Sequence, residues 1–167
     1  MSLPSNIVLI GMPGSGKSTV GVILAKRTGL DFVDSDVVIQ AETGRVLQDI
    51  VDRDGYLALR EIEERVLLGM PAGGTVIATG GSAVYSDAAM RRLKGGGTVV
   101  FLDVALAVLE ARVSDYATRG LARPPGQTME ALFTERLRLY RRYADITIAC
   151  NRLSQDAVCE RIEAALG

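Results

Sequence analysis

The most informative segment of this 167-residue chain is Gly11-Met12-Pro13-Gly14-Ser15-Gly16-Lys17-Ser18. Its spacing matches G-x-x-x-x-G-K-[ST], the P-loop motif that binds phosphate groups. The apolar run at 7–10 predicts a buried strand before the motif, and the helical spacing of apolar residues at 19–27 predicts a helix after it. Because the motif is meaningful only between a strand and a helix, this context favours a phosphate site over an incidental glycine-rich turn.

The chemistry of such a loop requires these residue types. Gly11, Gly14 and Gly16 let the backbone turn tightly and approach an anion, because glycine has no Cβ atom. The N–H groups of the loop and the positive end of the following helix then face that anion. Lys17 would supply a positive charge for the β- and γ-phosphates, and the Ser18 hydroxyl could bind Mg²⁺.

The composition of the chain predicts one globular domain over residues 1–167. The formal net charge is -1, so no broad basic surface favours nucleic acid or an anionic membrane as a partner. Histidine is absent, which excludes His-based catalysis and indicates that any metal is a hard cation with oxygen ligands. Two cysteines, no signal-peptide pattern and no apolar run of the roughly 20 residues that span a membrane predict a cytoplasmic protein, which we expect to be a monomer.

Strand-like and helix-like segments alternate along the whole chain. The pattern predicts strands at 7–10, 32–33, 75–79, 98–102 and 146–149, and helices at 17–28, 36–53, 56–69, 86–94, 104–114, 128–142 and 154–166. This order predicts an α/β fold of three layers, with a five-stranded parallel sheet covered by helices on both faces. The segment at about 114–127 mixes arginine, glycine and proline, and is predicted to be an exposed mobile loop, or lid.

Candidate site residues follow the predicted strands, where an open parallel sheet collects its ligands. Asp34 and Asp36 follow the second strand and suit the binding of Mg²⁺ and the orientation of a hydroxyl group, although either could simply cap the next helix. Gly80 and Gly81 follow the third strand and would let a substrate approach the backbone, although an ordinary turn explains them equally well.

Arginines could bind a carboxylate or phosphate, because the guanidinium group makes two parallel hydrogen bonds to such anions. Arg60, Arg123 and Arg136 are candidates, but spacing alone does not say which of them converge. An isolated arginine on a helix is commonly solvated or paired with a glutamate.

The order of these motifs resembles the shikimate kinase family, within the nucleoside monophosphate kinase group of P-loop folds. The resemblance runs from about Ile7 to Ile148. It is carried by the P-loop over 11–19, Phe32-Val33-Asp34-Ser35-Asp36, Gly55 with Arg60 and Glu63, Ala78-Thr79-Gly80-Gly81, Arg112, Arg123-Pro124, and Arg136 with Leu139-Tyr140 and Ala144-Asp145.

The resemblance implies that the chain transfers a phosphoryl group from ATP to the 3-hydroxyl of shikimate, a step towards chorismate and the aromatic amino acids. The phosphates of ATP would be held by Gly11, Gly14, Ser15, Gly16, Lys17, Ser18 and Thr19. Ser18 and Asp34 would organise Mg²⁺, and Arg112 would pack against the adenine.

On the acceptor side, the resemblance implies that Asp36 orients the attacking hydroxyl group. Arg60 and Arg136 would clamp the carboxylate of shikimate, and Gly80 and Gly81 would line its pocket. Arg123 would move in with the lid, and together with Lys17 and Asp36 it would make up the catalytic set.

The chain also departs from the family pattern, mostly around the acceptor. Ser82 stands where the family has a third glycine, and Tyr56 and Leu59 replace the glutamate and phenylalanine of G-E-x-x-F-R. The lid reads Arg123-Pro124-Pro125-Gly126 rather than R-P-L-L, and it begins several residues further from Arg112 than is usual. A related kinase for another small hydroxy acid or polyol therefore stays open as an alternative, as does a nucleotide-binding module without catalysis.

Overall fold

The computed structural model describes residues 4–113 and 119–167. Its elements in chain order are β1 (Asn6–Ile10), α1 (Lys17–Thr28), β2 (Asp31–Asp34), α2 (Ser35–Thr43), α3 (Leu47–Asp54), α4 (Tyr56–Leu68), β3 (Thr75–Ala78), a 3₁₀ turn (Ala83–Tyr85), α5 (Asp87–Gly96), β4 (Gly97–Asp103), α6 (Leu106–Arg112), α7 (Met129–Tyr143), β5 (Ile146–Ala149) and α8 (Gln155–Leu166).

The strands of the described residues form one five-stranded parallel sheet in the order β2-β3-β1-β4-β5. The central strand β1 pairs Val8 with Ile77 of β3 and with Val99 of β4. Every residue of β1 and β3 is buried, because helices cover both faces of the sheet. The predicted three-layer α/β fold is therefore confirmed.

Close packing between α1 and β2 brings the P-loop next to the end of the second strand. A Cβ atom on Gly21 in α1 would lie 2.6 Å from Cε2 of Phe32 in β2, which is far inside normal contact distance. Glycine at this position therefore allows the helix to lie directly on the Phe32 ring.

The predicted helix over 36–53 is wrong as a single element, because it divides at Gly44. Gly44 has a φ of 66°, a left-handed conformation that favours glycine, and its N–H donates to the carbonyl of Gln40 and ends α2. A second helix, α3, then begins at Leu47. The glycine was a stop signal within an otherwise helical pattern.

The predicted lid over 114–127 is described only in part, since 114–118 lie outside the described residues. Gly120 and Ala122 are buried, so the prediction of an exposed loop is wrong at these two positions. The N–H of Gly120 donates to Oε1 of Gln48 at 2.6 Å. A Cβ atom on Gly120 would lie 2.5 Å from the backbone nitrogen of Gln48. This part of the segment is therefore packed against α3.

Among the described residues, no helix has both the length and the apolar character needed to cross a membrane.

The tight contact at Gly21 can be tested by adding a methyl group. We expect Gly21→Ala to lower the free energy of unfolding by about 1–2 kcal/mol, because overpacking against Phe32 outweighs the gain in helix propensity. Gly95→Ala in α5 is the matched control, since a Cβ there meets no atom within 4 Å. Urea denaturation should show Gly95→Ala unchanged or slightly stabilised, and equal effects of the two substitutions would contradict the packing argument.

Candidate active site

A cavity of about 660 Å³ opens at the carboxyl edge of the sheet, between the P-loop, the ends of β2 and β3, α7 and the segment 119–122. Its lining includes most of the predicted site residues, namely Gly14, Ser15, Gly16, Lys17, Ser18, Thr19, Asp36, Gly80, Gly81, Arg112 and Arg136. The ends of parallel strands thus bring together residues that are far apart in the chain.

The P-loop has the backbone conformation that an anion cradle needs. Gly11, Gly14 and Gly16 have φ values of 150°, 84° and 101°, which side-chain-bearing residues rarely adopt. The Lys17 ammonium group folds back over the loop and donates to the carbonyls of Gly11 at 2.6 Å and Met12 at 2.9 Å. Lys17 is therefore held at the mouth of the cradle, where a phosphate would enter.

Burial lowers the pKa of Lys17 to about 8, and the negative charge of Asp36 partly opposes this shift. At neutral pH the side chain is still mostly protonated. Its positive charge is only weakly solvated and is available to an entering anion.

Asp34 both caps a helix and faces the P-loop. Its Oδ1 accepts hydrogen bonds from the backbone N–H groups of Asp36 at 2.9 Å and Val37 at 3.4 Å, at the start of α2. Its Oδ2 accepts a hydrogen bond of 2.5 Å from the Ser18 hydroxyl. Asp34 thus caps the helix with one carboxylate oxygen and contacts Ser18 with the other.

The Ser18–Asp34 pair fits Mg²⁺ because both donors are oxygen atoms beside the phosphate cradle. Within the described part of the chain, no cluster of three or more acidic, histidine or cysteine side chains could form a metal site by itself. A magnesium ion here would need phosphate oxygens and water as further ligands, which is how this ion is commonly held next to a nucleotide.

Two carboxylates meet over Gly80 on the acceptor side of the cavity. A Cβ atom on Gly80 would lie 2.8 Å from Oδ1 of Asp36 and 2.5 Å from Oε1 of Glu63, so any side chain there would displace both. The N–H of Gly80 donates to the Ser35 hydroxyl at 2.9 Å. Glycine at this position therefore makes room for the pair.

The proximity of these carboxylates and their burial affect their ionisation. Burial, followed by the charge of Asp34, raises the pKa of Asp36 to about 6. Burial, followed by the charge of Asp36, raises the pKa of Glu63 to about 7, although a hydrogen bond from Ser82 and the charge of Arg136 oppose this shift. Asp36 is thus mostly anionic at neutral pH and has a proton affinity suited to a general base.

Ser82, one of the departures from the family pattern, has a clear partner in the structure. Its hydroxyl donates to Oε2 of Glu63, and both side chains are buried. Oε1 of Glu63 is buried and accepts no hydrogen bond from the described residues. The Ser82 side chain is therefore bonded to Glu63, a residue whose part in the site the sequence alone does not indicate.

Arg60 and Arg136 converge on one backbone oxygen. The Nη2 atoms of both arginines donate to the carbonyl of Ala122, at 3.1 Å from Arg60 and 3.3 Å from Arg136. Both Nε atoms are buried and have no hydrogen-bond partner among the described residues. Two guanidinium groups with unused donors are suited to a carboxylate, which accepts several such bonds.

The remaining arginines differ in position. Arg112 lies at the rim, where its Nη1 donates to the Gly14 carbonyl at 3.4 Å. Arg123 is not among the residues that line the cavity, and its Nη1 donates to the Gln127 carbonyl at 3.1 Å and contacts Sδ of Met129 at 3.1 Å. Arg119, which the sequence analysis missed, lines the cavity. The unusually long interval between Arg112 and Arg123 was the signal that could have identified it.

The phosphate cradle and the oxygen pair suited to Mg²⁺ are the nucleotide site of a P-loop kinase. The buried carboxylate and the two converging arginines suit a small anionic acceptor. The shikimate kinase family model matches residues 13–166 of the chain. The chain belongs to the shikimate kinase family, which confirms the resemblance noted in the sequence.

Individual relatives agree with this assignment. A shikimate kinase from Thermodesulfovibrio yellowstonii is 38% identical over 160 residues, covering 94% of this chain and 92% of the relative. One from Pseudomonas entomophila is 40% identical over 146 residues, covering 86% and 85%. The structure of a shikimate kinase from Acinetobacter baumannii in complex with shikimate is similar with a TM-score of 0.85 and 30% identity, covering 98% of this chain and 93% of that one.

The raised pKa of Glu63 has a consequence for stability. A carboxyl group whose pKa is higher in the folded than in the unfolded state contributes stability at low pH and loses it as the pH rises through the folded value, here about 7. From pH 5 to pH 8, we expect the free energy of unfolding of Glu63→Gln to rise by about 2 kcal/mol relative to that of the wild type, in the absence of ligands.

Urea denaturation at the two pH values measures this difference. Glu61→Gln is the control, since Glu61 is an exposed carboxyl group on the same helix. If Glu63→Gln and the wild type differ equally at pH 5 and pH 8, the ionisation assigned to Glu63 is wrong.

Proposed function

We propose that the protein transfers the γ-phosphoryl group of ATP to the 3-hydroxyl of shikimate, giving ADP and shikimate 3-phosphate. The observation that carries this proposal is the position of the arginine pair. Arg136 lines the cavity that also holds the P-loop and Asp36, and Arg60 converges with it on the carbonyl of Ala122, another lining residue. Shikimate has a carboxylate for the arginines and a hydroxyl group for Asp36.

On the nucleotide side, the backbone N–H groups of the P-loop and Lys17 bind the phosphates. Ser18 and Asp34 would hold Mg²⁺, which when bound would neutralise negative charge on the phosphates. Arg112 packs against the adenine from its position at the rim, which is supported by its contact with Gly14.

On the acceptor side, Arg60 and Arg136 bind the carboxylate and so fix the orientation of the ring. Asp36 accepts the hydrogen bond of the 3-hydroxyl, and takes up its proton as the oxygen bonds to phosphorus and the bond to the leaving ADP breaks. Gly80 and Gly81 allow the ring to approach the backbone. A Cβ atom on Gly81 would lie 2.6 Å from Nη1 of Arg136, so the site has no space for a larger residue.

For the arginine that stabilises the transferring phosphoryl group, we favour Arg119 over the predicted Arg123. Arg119 lines the cavity that also holds the P-loop, whereas Arg123 is not among the lining residues. The two residues are four positions apart in the lid segment, so a variant of each separates them.

The cellular setting stays a prediction. The formal net charge of -1 supports an enzyme without nucleic acid or anionic membrane partners, and the low number of cysteines supports a reducing cytoplasm. The use of Mg·ATP by a monomer is part of the same prediction. Its product would feed the synthesis of chorismate and the aromatic amino acids.

The proposal is tested by measuring ADP release from Mg·ATP with and without shikimate. We expect strong stimulation by shikimate, and we expect Asp36→Asn to abolish it while ATP affinity changes little, because Asp36 acts on the acceptor. Stimulation by a different hydroxy acid or polyol but not by shikimate would favour the related-kinase alternative. ATP binding without transfer to any acceptor would favour a non-catalytic module.

The two lid arginines give a separate prediction. Arg119→Ala should lower kcat about 100-fold or more with a smaller change in the KM for ATP, because the positive charge acts mainly in the transition state. Arg123→Ala should change kcat less than about threefold. Steady-state kinetics that reverse this order would return the catalytic role to Arg123.

A further inference from the structure

Tyr85, at the end of the 3₁₀ turn that follows β3, contacts both arginines of the acceptor site. Its ring centroid lies 3.7 Å from Cζ of Arg60 and 5.6 Å from Cζ of Arg136. The Tyr85 hydroxyl donates a hydrogen bond of 2.5 Å to Oε1 of Glu135, which fixes the ring. Tyr56 lies near Arg60 as well, with its ring centroid 5.0 Å from Cζ.

These contacts orient the arginines without neutralising them. Within the described residues, neither Arg60 nor Arg136 forms an ion pair. Their partners are aromatic faces, which attract a cation through the negative charge of the ring face, and the neutral carbonyl of Ala122. No ion pair therefore occupies either guanidinium group, and the carboxylate charge that acts on Arg136 is that of Glu63.

The departure from the family pattern at position 56 fits this arrangement. In the family pattern a glutamate stands where this chain has Tyr56, and a carboxylate close to Arg60 would compete with the carboxylate of the substrate. A tyrosine supports the guanidinium group but does not compete for its hydrogen-bond donors. Arg60 and Arg136 carry like charges and converge on the same carbonyl, so they repel each other, and the face of the Tyr85 ring offsets part of that repulsion.

We propose that Tyr85 is a positioning residue that holds Arg60 and Arg136 in place for the carboxylate of the acceptor, and thereby sets the preference for an anionic acceptor. This inference rests on the proposed function, in which the two arginines bind that carboxylate. Tyr85 acts through the arginines and not through contact with the reacting atoms.

The test compares Tyr85→Leu and Tyr85→Phe in steady-state kinetics with shikimate and with its uncharged methyl ester. Tyr85→Leu should raise the KM for shikimate about tenfold, with kcat and the KM for ATP within about twofold of the wild type. Tyr85→Phe keeps the ring and should change the KM for shikimate less than about threefold. The KM for the methyl ester should be the same in all three proteins, because the ester offers no charge to the arginines.

A double-mutant cycle with Arg60→Leu separates positioning from a general structural effect. If Tyr85 acts through Arg60, Tyr85→Leu should add less than about a twofold change in KM when Arg60 is already absent. Tyr85→Met serves as a second variant if Tyr85→Leu fails to fold, since its flexible side chain fills the space without an aromatic face.

Tyr143→Leu is the matched control, because Tyr143 also contacts an arginine, Arg142 at 5.4 Å, and donates to a carboxylate, Asp87 at 2.7 Å, but Arg142 is neither of the two acceptor arginines. It should leave the KM for shikimate unchanged. An unchanged KM in Tyr85→Leu, or an equal rise with and without Arg60, would overturn the inference alone. An unchanged KM for shikimate in Arg60→Leu would overturn the carboxylate clamp of the proposed function together with it.

Discussion

The active site depends on four ionisable groups that share a space with little water. Lys17, Glu63 and Arg136 are buried, and Asp36 is half-buried beside them. Charges in such a place are costly unless they compensate one another, and here two cations face two carboxylates. The hydrogen bonding of these groups is incomplete, because Oε1 of Glu63 and Nε of Arg136 lack a partner among the described residues.

The fold brings these charges together through backbone positions that leave no space for side chains. Gly80 and Gly81 lie against Glu63, Asp36 and Arg136 at distances that a Cβ atom would not tolerate. The parallel sheet supplies the alignment, because β1, β2 and β3 end at the same edge. The geometry of the site thus follows from the order of the strands and from the two glycines after β3, Gly80 and Gly81.

Much of this could be predicted from the sequence, because the relevant signals are local. Continuous apolar runs predicted the strands, and the P-loop motif predicted a phosphate cradle that begins α1 at Lys17. The predicted helix cap at Asp34 is observed, and the second carboxylate oxygen accepts a hydrogen bond from Ser18, so the cap leaves room for the magnesium role, which stays a prediction. The division of the 36–53 helix at Gly44 was missed although its signal was local.

The rest could not be predicted because it depends on contacts between distant parts of the chain. The carbonyl of Ala122 meets Arg60 across 62 positions, and Tyr85 meets Glu135 across 50. Nothing in the spacing of the arginines shows that Arg119 lines the cavity and Arg123 does not, apart from the long interval after Arg112. The sequence shows only that Ser82 replaces a family glycine, whereas the structure shows that its hydroxyl is bonded to Glu63.

The most direct test of the account is a crystal structure of the protein with shikimate and ADP bound. The account predicts that the shikimate carboxylate lies between the guanidinium groups of Arg60 and Arg136, with the 3-hydroxyl at hydrogen-bond distance from Asp36, about 2.6–3.2 Å. Shikimate bound with its carboxylate away from both arginines, or with another hydroxyl group on Asp36, would contradict it.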